Sequence, residues 1–421
     1  VPTKAYLVAA GLAYEIDTLA PRIGVGAANA RPDLGRIKAR KDSLRKPQPQ
    51  WVADLRAAGF DTYDGEAAFV DERTVRVGED DLRAERILVA TGSRTAVPPI
   101  EGIDDVEWLD HVGALELEAL PESLLVVGAG AVGLEFGQAF ARFGSRVTIV
   151  DVLGQVAPQA DHDAAVELQA ALEDEGIRVL LDSSVAQVRP GLASVEARSG
   201  GGRTELPFDR LLVAAGRLPN VEGLNLEAAG IETTRRGISV DGRMRTTTPG
   251  VWAAGDVNSE APFTPAAQYQ ARLAVDDMFG LEPAPADYSA LPTAIFTEPE
   301  LAQVGLTEEQ ARERGHDVET TSHPFRVTRR ASYLGATRGL YKLVFDRGSR
   351  RLLGLHVVTP GASDVIQGYA LAMSLGATVD DVARAHHAFP TIAEGVKAAA
   401  ERALLSRAGA AETAAAPGSA S

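Results

Sequence analysis

The chain has 421 residues, 45% hydrophobic and 24% charged, with a formal net charge of −16 and no cysteine. That length accommodates two or three domains with sizeable cores, and the acidic balance argues against a nucleic-acid or anionic-membrane binder, either of which needs basic surface. Without cysteine there are no disulfides, thiolate metal sites or thiol nucleophiles within these residues, and no apolar run reaches the ~20 residues of a membrane span. Val1-Pro-Thr-Lys4 does not open a signal peptide, so a cytoplasmic location is expected.

Thr3 to Leu19 reads as one helix, because Leu7, Ala10, Tyr14 and Leu19 share a face, and Lys4 falls in its first turn. Ile23 to Asn29 carries two glycines, but Pro21 precedes it and no apolar strand leads in, so it is not expected to hold a phosphate. Leu34 to Ala58 is helix-like and basic, broken at Pro47 and Pro49; a solvated face accounts for its charge. Short strands are expected from Asp64 to Val70, Thr74 to Val77 and Arg86 to Ala90. The last runs into Thr91-Gly92-Ser93, where a strand breaking at glycine lets backbone approach a ligand or a packed neighbour.

The stretch that organises the chain is LLVVGAGAVGLEFG, Leu124 to Gly137. Gly128, Gly130 and Gly133 fit G-x-G-x-x-G: a tight turn, a close backbone approach to a pyrophosphate, and close packing of helix on strand. The helix N-terminus then favours the phosphates through its free N–H groups and dipole. Helical pattern continues to Phe143, stops at Gly144, and leads into the β-branched run Arg146 to Val150, which ends on Asp151. An acid there accepts from a ribose 2′-hydroxyl and repels a 2′-phosphate, which favours NAD over NADP.

Farther on come a helix from Asp163 to Glu175, a strand from Ile177 to Leu181, and Arg210 to Gly216, which repeats the pattern of 86–92. One complete doubly wound unit and the back half of another are expected. Gly250 to Asp256 is a small-residue strand ending on an acid, and Thr264 opens a helix to Met278. Taken alone, Asp256 reads more readily as a turn or cap residue. A hairpin follows, Gly339 to Phe345 with Arg351 to Val358, then helices from Ser363 to Leu375 and Thr378 to Ala385. His386 and His387 stand close to Pro390 and Glu394, in a pattern that suits a helix-end cap and an active site equally. Beyond Leu405 the Ala, Gly and Ser composition predicts a disordered tail.

Together the motifs resemble the flavin-dependent pyridine-nucleotide disulfide oxidoreductases, the family of dihydrolipoamide dehydrogenase, glutathione reductase and mercuric reductase. The matching stretches are VPTK at Val1, GEAAF at Gly65, ILVATGS at Ile87, GAGAVGLEF at Gly128, AAGRLPN at Ala214, WAAGD at Trp252, FTEPELAQVG at Phe296 and FPTIAEGVK at Phe389. The resemblance implies an α/β fold with doubly wound nucleotide-binding domains, one complete and one truncated, plus a C-terminal α+β dimerisation domain. The expected divisions are a truncated FAD-binding domain at 1–118, an NAD-binding domain at 119–245, a return segment of the FAD domain at 246–290, the dimerisation domain at 291–405 and the tail at 406–421.

It further implies that Gly128, Gly130, Gly133, Asp151 and Gly216 surround the NAD nucleotide, and that FAD lies near Lys4, Ala67, Thr91, Gly92, Asp256 and Thr264. Lys4 and Glu135 match the family's lysine–glutamate pair beside the flavin, where burial would make the pairing obligatory. In the family, hydride passes from NAD(P)H to FAD and electrons then reach a Cys-x-x-x-x-Cys disulfide and the substrate. The second of those cysteines belongs immediately before VPTK, and the glycine turn for the ADP half of FAD belongs upstream too. On that reading the 421 residues alone should hold FAD poorly and be inactive.

Lipoamide and glutathione enzymes carry an acid–base histidine directly before the proline of the C-terminal motif, with a glutamate five residues later. Here Phe389 takes that place and Glu394 remains. Mercuric reductases also lack the histidine, and Glu394-Gly-Val-Lys397 and Thr337 to Val344 resemble theirs, although their C-terminal cysteine pair is absent; Asp151 fits a lipoamide-type NAD site better. The expected function is therefore a mercuric reductase-like oxidoreductase acting through Lys4, Glu135, Phe389 and Glu394. The alternatives are a dihydrolipoamide dehydrogenase-like disulfide reductase and a non-catalytic dinucleotide-binding fragment or scaffold. A homodimer with a small-molecule or metal-ion acceptor is expected, with no resident metal, nucleic acid or membrane.

Overall fold

The computed structural model describes residues 2–26, 29–198, 200 and 202–415, with side chains as far as Leu405. Val1, two residues of the 23–29 loop and residues 416–421 of the expected tail thus lie outside the described residues. The chain divides into two compact units, residues 1–42, 98–215 and 289–421 in the first and 43–97 with 216–288 in the second.

The first unit is built on a parallel sheet whose strand order is Trp108–Leu109, Arg210–Val213, Ser123–Val127, Arg146–Val150, Arg178–Leu180. Leu124 to Val127 are all buried, as a parallel strand covered on both faces requires. The helix Ala131–Phe143 makes the crossover to Arg146–Val150 and ends at Gly144 with φ 116°, a left-handed stop that glycine adopts without strain. Tyr6 of the N-terminal helix packs into the same core as Leu134, Phe136, Phe140 and Leu168.

The C-terminal part of this unit is an antiparallel sheet ordered Thr293–Ile295, Glu300–Gly305, Leu352–Thr359, Leu340–Asp346, Val318–Pro324. Its core holds Phe325, Tyr341 and Phe345 together with residues of the helices Ala362–Ser374 and Glu394–Ala415. The second unit contains an antiparallel meander (Ala67–Asp71, Thr74–Val77, Asp80–Arg83), a parallel pair (Ile87–Val89 with Val251–Ala253) and the helix Thr264–Met278. The fold is thus mixed α/β, with a doubly wound nucleotide-type sheet and a C-terminal α+β domain.

Two expectations need correction. The first helix is α-helical only over Pro2–Tyr14; Glu15–Leu19 is a π turn and Ala20–Arg22 a short α turn. Pro21 has no N–H to return to the carbonyl four residues back, so the ladder widens before it, and Thr18 Oγ1 donates to the Tyr14 carbonyl at 2.6 Å. At the other end the last helix continues to Ala415, well into the expected tail, because its alanines lose little entropy on becoming helical.

Within the first unit, the C-terminal sheet is tied to the nucleotide-type half through a buried ammonium. Lys342 Nζ donates to Asp161 Oδ1 at 2.9 Å and Asp163 Oδ2 at 2.8 Å, and lies 2.7 Å from Glu308 Oε2. The side chains of Lys342 and Asp161 are only 4% and 2% exposed. Burial raises the Asp161 carboxyl, but His356, Lys342 and the Glu308 N–H outweigh it and the net direction is down. Burial also pushes His356 below its ordinary range, leaving it neutral near pH 7, so Lys342 is the cation that keeps Asp161 ionised. Replacing Lys342 by Met strands that carboxylate, and a stability loss of about 3–5 kcal/mol is expected, seen as a lower thermal midpoint. Asp161's folded pKa is depressed, so its contribution is complete above the unfolded value of ~3.9 and is lost as pH falls through the folded one. The gap between Lys342→Met and wild type should therefore shrink below pH ~4; equal midpoints at pH 7 would contradict the account.

Candidate functional site

The three glycines of the turn do three different things. Gly128 has φ 112°, and a Cβ there would stand 2.3 Å from the Ala214 carbonyl oxygen. A Cβ on Gly133 would stand 1.9 Å from the Gly128 carbonyl oxygen, so helix and strand touch backbone to backbone. Gly130 has ordinary extended backbone, and a Cβ there would meet nothing within 4 Å. Open space therefore lies over the one glycine expected to face a pyrophosphate. The helix that follows has no side-chain cap, which leaves its first N–H groups available to an anion. A dinucleotide fits this turn.

Asp151 is more engaged than the sequence suggests. Its Oδ2 accepts the Ala129 N–H at 2.6 Å and its Oδ1 the Leu153 N–H at 2.8 Å. The acid thus braces the glycine turn from the neighbouring strand. Each oxygen keeps a second lone pair for a ribose hydroxyl.

One turn into the helix, Glu135 is 5% exposed. Its Oε2 receives Lys4 Nζ at 2.6 Å and its Oε1 accepts the Phe296 N–H at 2.9 Å. Sequence reading paired Lys4 with Glu135 by resemblance and missed Phe296, whose ring centroid lies 4.0 Å from the ammonium. Along the same helix Gln138 exchanges hydrogen bonds with the Glu298 backbone at 2.7 Å each way. Arg142 binds Glu175 at 2.7 Å and 2.8 Å and Glu298 Oε2 at 2.6 Å, and it stacks on Tyr14. Burial opposes the charge of that guanidinium, yet the two glutamates hold its pKa above the ordinary value.

The second unit gathers the remaining expected cofactor residues. Thr91 Oγ1 donates to the Asn220 carbonyl at 2.8 Å, and the Asn220 amide returns to the Thr91 carbonyl at 2.9 Å. Gly92 takes φ 70°, Ala67 begins its strand and Thr264 its helix. Asp256 Oδ2 accepts from Ser93 Oγ at 2.5 Å, and Arg217 Nε donates to the same hydroxyl at 2.7 Å while lying 3.6 Å from the carboxylate. Asp256 sits in a turn, as the turn or cap reading has it, and neither Ser93 nor Arg217 was legible as its partner. Gly216, with φ 128°, opens the second segment of this unit, and its carbonyl accepts the Ala96 N–H at 3.0 Å.

The C-terminal segment differs most from expectation. Phe389 is 74% exposed, and Glu394 Oε2 is buried with no hydrogen-bond partner. His387 Nε2 lies 2.7 Å from the Tyr369 hydroxyl and its Nδ1 3.3 Å from the Ala385 carbonyl. Burial raises the Tyr369 hydroxyl, so it stays protonated and shares one hydrogen bond with His387 Nε2. Both residues line a cleft of about 850 Å³ with Arg330, Asp364 and His386. Among the described residues no cluster of His, Asp or Glu could hold a metal ion, and no helix is long and apolar enough to cross a membrane.

With this geometry in place, comparison with known proteins is direct. The pyridine nucleotide-disulphide oxidoreductase family matches residues 19–271, and its dimerisation domain matches residues 291–400. A mercuric reductase of Staphylococcus aureus is 33% identical over 408 residues, covering 95% of this chain and 74% of that protein. A dihydrolipoyl dehydrogenase of Thermus scotoductus is 38% identical over 411 residues, covering 95% and 87%. The structure of the HOCl-induced flavoprotein disulfide reductase RclA of Escherichia coli superposes with a TM-score of 0.82 at 29% identity, covering 95% of this chain and 89% of that one. The chain belongs to the pyridine nucleotide-disulphide oxidoreductase family.

Proposed function

We propose that the protein is a flavin- and NAD-dependent oxidoreductase whose acceptor is a metal ion of the Hg(II) kind, with a lipoamide-type disulfide as the second reading. The observation that carries the redox assignment is one helix, Ala131–Phe143. It presents an open, uncapped glycine turn at its start and a buried, lysine-paired carboxylate one turn later. On this reading Gly130 and the helix N–H groups receive the pyrophosphate, Asp151 receives the adenine ribose, and Lys4 holds a positive charge fixed by Glu135. In the second unit Ala67, Thr91, Gly92, Asp256 and Thr264 would hold FAD, with Asp256 oriented by Ser93 and Arg217. FAD, when bound, supplies the two-electron acceptor for the hydride of the nicotinamide.

The acceptor is argued from the C-terminal segment. Thiol–disulfide exchange needs a proton-transfer group close to the sulfurs, whereas delivery of electrons to a metal ion does not. Phe389 cannot carry a proton, and His387 Nε2 is already hydrogen-bonded to the Tyr369 hydroxyl. Asp151 favours the second reading, because it suits a lipoamide-type NAD site. Pairing with a second copy is assigned to the C-terminal domain, which exposes Leu371, Leu375 and Phe389 at 62%, 78% and 74%. Sedimentation equilibrium at the mass of one chain would contradict that pairing.

NAD(H) is expected to bind more tightly than NADP(H), and calorimetric titration showing equal or reversed affinities would remove the assignment of Asp151. Asp151→Ser should narrow the gap by ~1–3 kcal/mol through loss of a charge-assisted bond. Absolute NAD affinity should fall as well, because the Ala129 N–H loses its acceptor.

The glycines separate folding from binding. Gly133→Ala places a methyl 1.9 Å from a carbonyl oxygen and is expected to lower the thermal midpoint and NAD affinity together. Gly130→Ala meets no protein atom within 4 Å, so the midpoint should hold while affinity drops. A Gly130→Ala protein that binds NAD as wild type does would show that the nucleotide lies elsewhere.

In protein that carries the family's cysteine pair, Phe389→His is expected to raise dihydrolipoamide turnover at least roughly tenfold, within the range such groups supply. Brisk wild-type turnover abolished by His387→Ala would instead make His387 the base and a disulfide the acceptor.

A further inference from the structure

Lys4 is held by one contact that the ion pair does not explain. Its ammonium lies 2.6 Å from Glu135 Oε2 on one side and 4.0 Å from the ring centroid of Phe296 on another. The same Phe296 donates its N–H to the other oxygen of Glu135 at 2.9 Å. A single residue just past the strand Thr293–Ile295 therefore touches both members of the pair.

The two partners are unequally buried, the Glu135 side chain at 7% exposure and the Lys4 side chain at 41%. A carboxylate that deep needs its cation, but a lysine that exposed is free to swing into water unless something opposes it. Phe296 is itself 37% exposed, more than a ring that merely fills core would be. An ammonium over an aromatic face is attracted by the ring quadrupole, and the ring also shuts water out from that side.

We propose that Phe296 is a positioning residue for Lys4: its main chain orients the Glu135 carboxylate and its ring caps the ammonium, so that the charge stands at one place. The C-terminal domain thereby controls a charge carried by the N-terminal helix. The consequence for hydride transfer rests on the reading of Lys4 and Glu135 as the flavin-side pair, whereas the positioning itself does not.

The test is limited acylation of the purified chain with the N-hydroxysuccinimide ester of acetic acid, read lysine by lysine by peptide mass spectrometry. Phe296→Leu and Phe296→Met keep the backbone N–H and remove the ring face. In both, Lys4 is expected to react roughly two- to thirtyfold faster than in wild type, the range a cation–ring contact spans. Phe296→Trp restores a ring face and should return Lys4 to the wild-type rate, while exposed Lys46 serves as the internal reference. Rapid acylation of buried Lys342 would mark a variant that has unfolded, and the other aliphatic variant then decides. An unchanged Lys4 rate in the folded aliphatic variant, or a tryptophan variant as reactive as that one, overturns the proposal. Titrating FAD into protein that carries the family's upstream flavin-binding segment, followed by flavin fluorescence, separates the two readings. Failure to bind FAD removes the flavin role and leaves the acylation rates to decide positioning.

Discussion

The rest of the structure depends on the contact between Gly133 and Gly128, where a helix lies so close to a strand that no Cβ fits between them. That approach fixes the height and rotation of the helix Ala131–Phe143, and with it one polar face. Glu135, Gln138 and Arg142 follow at spacings of three and four residues, so they line one side of the helix. All three are buried, and all three reach the segment from Phe296 to Glu298. The C-terminal domain is hung on the nucleotide helix by hydrogen bonds as much as by apolar packing. Each such bond is costly to leave unmade at this depth.

On the proposed reading, one rigid element joins binding to chemistry. At the helix N-terminus, open space over Gly130 and free N–H groups suit an anion; one turn along, a carboxylate fixes a lysine. A displacement of the helix against its strand would move both at once. Asp151 adds a second constraint, since the carboxylate proposed to read the ribose also braces the turn that would hold the phosphates. The proposed role of Asp151 would therefore couple affinity and nucleotide choice through one side chain.

Much of the fold was legible because it is written locally. Glycine spacing, β-branched runs and a left-handed stop at Gly144 identify strand, turn, helix and strand without reference to anything distant. Alternation in the C-terminal hairpin did the same for Leu340–Asp346 and Leu352–Thr359. Side-chain contacts between remote segments were not legible: Phe296 lies 161 residues from Glu135, and Ser93 lies 163 from Asp256. No local pattern announces that the Tyr369 hydroxyl hydrogen-bonds His387, or that Asp151 turns its oxygens toward Ala129 and Leu153. The π turn before Pro21 had a visible cause in the missing N–H, but the helical spacing of Leu7 to Leu19 concealed it. At the far end, small-residue composition read as disorder, whereas alanine-rich sequence following a packed helix continues it to Ala415.

The most direct test of this account is a crystal structure of the protein grown with NAD. The account predicts the pyrophosphate above Gly130 against the first N–H groups of the helix, with the adenine ribose hydroxyls on the Asp151 carboxylate while its bond to the Ala129 N–H persists. Dinucleotide bound at another site, or bound at the turn with Asp151 swung away from both partners, would contradict it.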